Sequence, residues 1–148
     1  MKATDDTGPA FELLAAAEPS PLIYAVPHAG RTVPASARAR LQATEATVHS
    51  LEDPLVDDLV AGAGAWGASR LINRTARAFV DVNRDPGERD PRLSSDERGR
   101  DTPRTRAGLG VVPRLGGDGR VIYRGRCAPE EIEARIAAGH VPYHAALA

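Results

Sequence analysis

The chain has 148 residues, 42 % of them hydrophobic and 26 % charged, with a formal net charge of −1 at pH 7. That is enough for one domain with a real core, and it excludes disorder as the default as well as any overall pull toward nucleic acid or an anionic membrane. One cysteine, Cys127, rules out an intrachain disulfide, and an aromatic content of 4 % leaves the core to Ala, Val, Leu and Ile.

Residues 1–20 read as a polar lead with one short helical turn at "AFELLAAA". Its acids stand where a signal peptide needs a basic start, and no apolar run in the chain reaches the length of a membrane span, so the expectation is a soluble cytoplasmic protein. "PLIYAV", 21–26, is an apolar run between prolines with the length of a buried strand, and the turn "PHAG" ends it. "VPASARARLQA" suits a short helix starting near Pro34 or Ala35. A longer helix is predicted from Ser50, with Asp53 as a capping-box partner, Pro54 in the first turn, and Leu51, Leu55 and Leu59 on its apolar face. "SRLIN" and "AFVDVN" come next as two short strands.

From Arg84 to Gly108 apolar periodicity is lost, which predicts a long surface loop. "LGVVPRLGGDGRVIYRG" reads as a β-hairpin around "GGDG". "APEEIEARIAAGH" has Pro129 and acids in its first turn and Gly139 as a stop, the pattern of a strong helix. "VPYHAALA" then starts a further helix and breaks off, which predicts an α/β pattern incomplete in this chain.

Candidate chemistry gathers at element ends. His28 follows a buried strand, where α/β folds present ligands and catalytic groups; the alternative is a histidine hydrogen-bonded within its own turn. Asp53 is either a helix cap or a metal ligand beside His28, and Asp57, four residues on, shares its helix face and could join it. Asp81, Asn83 and Arg84 emerge together; the Arg fork suits a substrate carboxylate, and an Arg–Asp pair that braces the next loop is the competing reading. "TPRTR", 102–106, could cover a bound anion or be solvated. His144 sits near a helix start, His49 and His140 carry no readable pattern, and Cys127 reads as structural.

Taken in order, "VPHAGRTVP", "EDPLVDDLV", "INRTARAFVDVNRDP" and "PYHAAL" resemble the N-formylglutamate amidohydrolase family over roughly residues 21–148. Arg77 and Arg84 match the arginines of that family's R-x-x-x-D-x-N-R core. The resemblance implies an α/β fold with a mixed or mostly parallel sheet flanked by helices, similar to zinc exopeptidases (phosphorylase/hydrolase-like). It implies a zinc-dependent hydrolase that takes the N-formyl group from an acidic amino acid, releasing formate and glutamate in histidine breakdown. His28 and Asp53 match the expected metal ligands, Arg84 the clamp for a substrate carboxylate, and Arg77, His144 and Asn83 further substrate-side positions. Family members continue past "PYHAAL" into a half with an Asp-x-His-Ser-type motif, which this chain lacks. Weak zinc affinity and little turnover are therefore expected of residues 1–148. Two other readings remain open: a non-catalytic module that binds acidic metabolites, and an interaction protein whose open sheet edge recruits a second copy or a complementing chain.

Overall fold

Three short strands, β1 (Phe11–Leu14), β2 (Ile23–Val26) and β3 (Ser69–Asn73), form an open mixed sheet in the order β1-β3-β2. The computed structural model describes residues 8–18, 20–95 and 98–148; residues 1–7 and Pro19 of the polar lead, and Asp96 and Glu97 of the long loop, lie outside it. β1 runs antiparallel to β3, with Phe11 opposite Asn73 and Leu14 opposite Arg70, and β2 runs parallel to it, with Ile23 opposite Ser69 and Val26 opposite Ile72. The helical turn expected at "AFELLAAA" is thus a strand. So short an apolar segment satisfies its backbone on the β3 ladder, whereas an isolated turn of helix pays for nucleation without packing. β2 exists where predicted but is not buried: of its four residues only Val26 is covered.

The predicted helix from Ser50 is broken into pieces. Thr44, not Ser50, caps helix α2 (Glu45–His49), its hydroxyl accepting from the Thr47 N–H, and Ser50 ends that helix. Pro54 disfavours helical backbone at the residue before it, and Leu55 then takes a left-handed φ of 68°. Beyond Leu55 the chain makes only a single turn, α3 (Val56–Leu59), and a 3₁₀ segment (Ala61–Trp66). Of the expected apolar face only Leu51 is buried, while Leu55 and Leu59 are 67 % and 81 % exposed. The short helix α1 (Ala35–Arg38) lies where "VPASARARLQA" placed it.

"AFVDVN" forms no strand. The backbone turns at Ala76–Phe79 as it enters this segment, whose polar groups find separate partners: Ala78 O accepts from Tyr123 O–H, and Asp81 N–H donates to Val111 O. Among its described residues the loop from Arg84 is irregular except for α4 (Pro103–Arg106), closed by a Thr102–Thr105 capping box. Within "TPRTR", Arg106 is paired with Asp101. The predicted hairpin shrinks to one bridge, Leu115 opposite Val121, because Val111 N–H is already taken by Glu88 O and Pro113 has no donor.

Gly139 does not stop the last helix. Helix α5 (Pro129–Arg135) runs through a π turn (Ile136–His140) into α6 (Val141–Leu147). Pro142 lacks the N–H that an α-helix would use there, and the wider turn accommodates it, with Val141 N–H reaching back to Ile136 O. Gly139 instead allows close contact: a Cβ on it would lie 2.6 Å from Val80 Cγ1. Two apolar clusters result. The larger gathers Phe79, Val80, Val111, Ile122, Tyr123 and Ile132, with Cys127 in it, and the smaller joins Leu71, Val82 and Tyr143 under the sheet. Burial of Cys127 pushes its thiol up, consistent with a structural role.

Candidate metal and substrate site

His28 follows β2 in a turn that is held from several sides. The Asn73 side-chain amide donates to Pro27 O at 2.8 Å, and Asp53 N–H donates to His28 O at 3.0 Å. Gly30 lets this turn lie directly on the chain after β3, since a Cβ there would stand 2.3 Å from the Arg74 carbonyl carbon. The imidazole, buried in this frame, lies between two carboxylates. Nε2 is 2.8 Å from Asp81 Oδ1 and Nδ1 is 3.1 Å from Asp53 Oδ2. The two acids differ sharply: the Asp81 side chain is 1 % exposed and that of Asp53 57 %.

Asp81 is the hub. Its Oδ1 accepts from His28 and from the Asn83 backbone N–H at 2.9 Å, and its Oδ2 accepts from Arg77 Nε at 2.8 Å, with Arg84 Nε 3.7 Å away. Burial by itself would raise the Asp81 carboxyl, but the His28 hydrogen bond, the Arg77 guanidinium and the Asn83 amide outweigh it and hold the group below the usual carboxylate range. Asp81 therefore stays anionic and fixes the orientation of both His28 and Arg77. Arg77 also donates to Leu51 O, and Arg84 donates through Nε to Leu109 O and through Nη1 to Asn83 O.

The last helix closes the other side. His140 Nε2–H donates to Arg84 O and His144 Nε2–H to Val82 O, both at 2.8 Å, and the two rings stack 4.4 Å apart. Because carbonyls only accept, each ring carries its proton on Nε2. Val82, Asn83, Arg84, Asp85, Pro86, His140 and His144 line an open depression of about 450 Å³.

The structure therefore brings His28, Arg77 and Arg84 around the Asp81 carboxylate, sets Asp53 at the far nitrogen of His28, and places Asn83, Arg84 and His144 on one depression. Asp57 does not join Asp53. With Asp53 ahead of α3 rather than on it, the two share no helix face, and Asp57 pairs with Arg74 at 2.8 Å, which together with Glu12 occupies that guanidinium. The Arg74 hydrogen bond lowers the Asp57 carboxyl. Sequence reasoning saw Asp81 only as a brace and found nothing in His140. The signal for His140 was its spacing of four from His144, which puts both rings on one helix face.

Site and sheet together define an α/β protein whose polar groups converge where β2 and the segment after β3 end, the usual place for a ligand site in this class. A family model for N-formylglutamate amidohydrolase matches residues 20–148, and the chain belongs to that family. Among solved structures it is similar to N-formylglutamate amidohydrolase from Ralstonia eutropha JMP134, with 26 % identity and a TM-score of 0.84 over 93 % of this chain and 50 % of that one. A gene product of Agrobacterium tumefaciens shares the fold at 20 % identity and a TM-score of 0.62, over 93 % of this chain and 48 % of that one. The chain thus spans about half the length of these two proteins. No curated protein matches it significantly. Among the described residues no helix is long and apolar enough to cross a membrane.

Proposed function

We propose that the chain carries part of the active site of a zinc-dependent amidohydrolase on a zinc-exopeptidase-like fold, one that cleaves the N-formyl amide of an acidic amino acid such as N-formylglutamate. The observation that supports this best is the His28 imidazole between two carboxylates. Asp81, anionic and buried, accepts the Nε2 proton and so sets the tautomer, as carboxylates behind metal-bound histidines do. Nδ1 then turns a lone pair toward Asp53 Oδ2 at 3.1 Å. Two electron-rich atoms at that distance call for a proton or a metal cation between them, and imidazole with carboxylate is a zinc donor set.

His28 Nδ1 and Asp53 would hold the ion. Catalytic zinc sites take three protein donors, and among the described residues no group of three His, Cys, Asp or Glu could hold a metal. The expectation for this chain by itself is accordingly weak zinc binding and little turnover. Bound zinc supplies a water whose pKa falls from about 15.7 to about 7, together with polarisation of the formyl oxygen. The chain's own residues do the positioning. Asp81 keeps the His28 ring in place, and Arg77 holds Asp81. Arg84, whose Nη2 has no hydrogen-bond partner within the described chain, joins Asn83 and His144 around the depression to take the substrate carboxylates, the role for which a planar fork is suited.

Calorimetric zinc titration and formate release from N-formylglutamate test the reading. Weak binding that His28→Asn and Asp53→Asn each abolish is expected; tight stoichiometric zinc untouched by either change would sink it. The presence of two donors rather than three favours one second reading, a binding module for acidic metabolites. In that case His28→Ala leaves N-formylglutamate binding intact and Arg84→Ala removes it.

A further inference from the structure

A cavity between α1 and α2 shares no lining residue with the depression at Asn83 and His144. It forms because both helices are short, four and five residues, and the link between them is drawn to other partners. The Gln42 and Ala43 N–H groups both donate to Ile122 O, and Leu41 bridges to Tyr123. Held in that way, the helices do not close on each other, and a space of about 310 Å³ stays between them. Its wall is apolar: Val33 and Val48 are buried, and Leu41 and Ala43 are half-buried against the larger core cluster. Small-molecule sites begin at about 300 Å³ and combine such a wall with a few polar groups that fix orientation.

Those polar groups stand at the rim. Arg31 and Arg38 both line the cavity and both are exposed. Arg31 meets Glu52 through Nε, 3.3 Å from Oε2, and Arg38 donates through Nη2 to Val33 O at 3.0 Å. Among the described residues, both Nη groups of Arg31 and the Nε and Nη1 of Arg38 have no hydrogen-bond partner. The neighbouring acids are engaged. Glu52, its side chain 2 % exposed, is held by Arg31 and by His49 Nδ1 at 2.5 Å, and Glu45 lies 3.4 Å from His49 Nε2, one helical turn along. The donors left at the rim are therefore guanidinium N–H groups, which recognise carboxylates by paired hydrogen bonds.

We propose that this cavity is a binding site for a small carboxylate with a compact apolar body, the body against Val33, Leu41, Ala43 and Val48 and the carboxylate between Arg31 and Arg38. Two guanidinium groups at the rim disfavour a cation. A wholly polar anion would leave the apolar wall uncovered and so gain nothing from it. The ligand thus differs in class from the acidic amino acid proposed for the depression, and the inference depends on neither zinc nor formyl chemistry.

The test is to titrate phenylacetate, and in parallel its uncharged counterpart phenylacetamide, into the chain with isotope-labelled Ala, Val and Leu methyl groups, and to follow those methyls by NMR. Saturable shifts at Val33, Leu41, Ala43 and Val48 are expected, with phenylacetate the tighter ligand by about tenfold, the worth of a charge-assisted hydrogen bond. Arg38→Gln is expected to remove that advantage and leave phenylacetamide binding as it was. Ala43→Phe, which fills the cavity, is expected to abolish both; should it fail to fold, Arg38→Gln reads the site by itself. Absence of a saturable shift overturns the proposal. So do shifts that centre on Val82, which assign phenylacetate to the depression, and equal affinity for acid and amide, which leaves the arginines without a role. Neither zinc nor formate is read, so failure here leaves the hydrolase proposal standing, and loss of zinc binding leaves this site standing.

Discussion

β2 and the segment Ala76–Val82 are both apolar stretches that lead to a site residue, and they are built in opposite ways. β2 has regular strand backbone on one ladder and yet leaves three neighbouring apolar side chains in solvent. Ala76–Val82 has no regular structure and is almost wholly buried, its polar groups satisfied one by one by Thr32, Val111, Tyr123 and His144. Regularity and burial are therefore separate properties here: backbone pairing makes the first, and the number of elements that close around a segment makes the second. The candidate site draws on both, taking His28 from the open strand and Asp81 from the enclosed segment.

The largest test of this contrast uses the two acids on His28. Asp81→Ala leaves buried His28 and part-buried Arg77 without their anion and is expected to cost about 3–5 kcal/mol in chemical denaturation. Asp53→Ala, at the solvent side of the same ring, should cost less than about 1 kcal/mol. Equal losses would mean that the two sides of the site are equally enclosed. Next come the apolar side chains. Val80→Ala, in the enclosed segment, should cost about 2 kcal/mol, and Ile23→Ala on the open strand no more than about 0.5 kcal/mol; a comparable loss at Ile23 would show that β2 is covered in solution.

The smallest effect is one of pH. Burial lowers the pKa of His140, against the opposing pull of its bond to Arg84 O, so the folded chain takes up this proton at lower pH than the unfolded chain. The associated stability is complete above about 6.5 and is lost as pH falls through the lower folded value. Urea midpoints at pH 7.5 and 5.5 should show the loss, and His140→Gln, which keeps a donor near Nε2, should reduce it.

Much of the candidate site could be read from the sequence because its parts are local: each of the four blocks holds its polar residue in a short window, three of them at a turn or strand end and "PYHAAL" within α6. His28, Asp53, Arg77, Asn83, Arg84 and His144 were legible in that way. Asp81 was visible but its function was not, since its partner His28 lies 53 residues away and only folding sets them 2.8 Å apart. The longer predicted helix from Ser50 failed for a related reason. Its leucines keep helical spacing, but Pro54 and the glycines at 62 and 64 break the backbone, and no neighbour covers Leu55 and Leu59 to compensate.

By itself the sequence determined the family, the strand before His28, the strand "SRLIN" and the helical character of the last twenty residues, because these depend on local spacing, chain punctuation and motif order. Tertiary structure alone decided that "AFELL" pairs as a strand, that Asp81 anchors His28, and that Gly139 serves contact rather than termination. Those outcomes depend on which distant groups satisfy a backbone or a charge, and that is settled only when the elements pack.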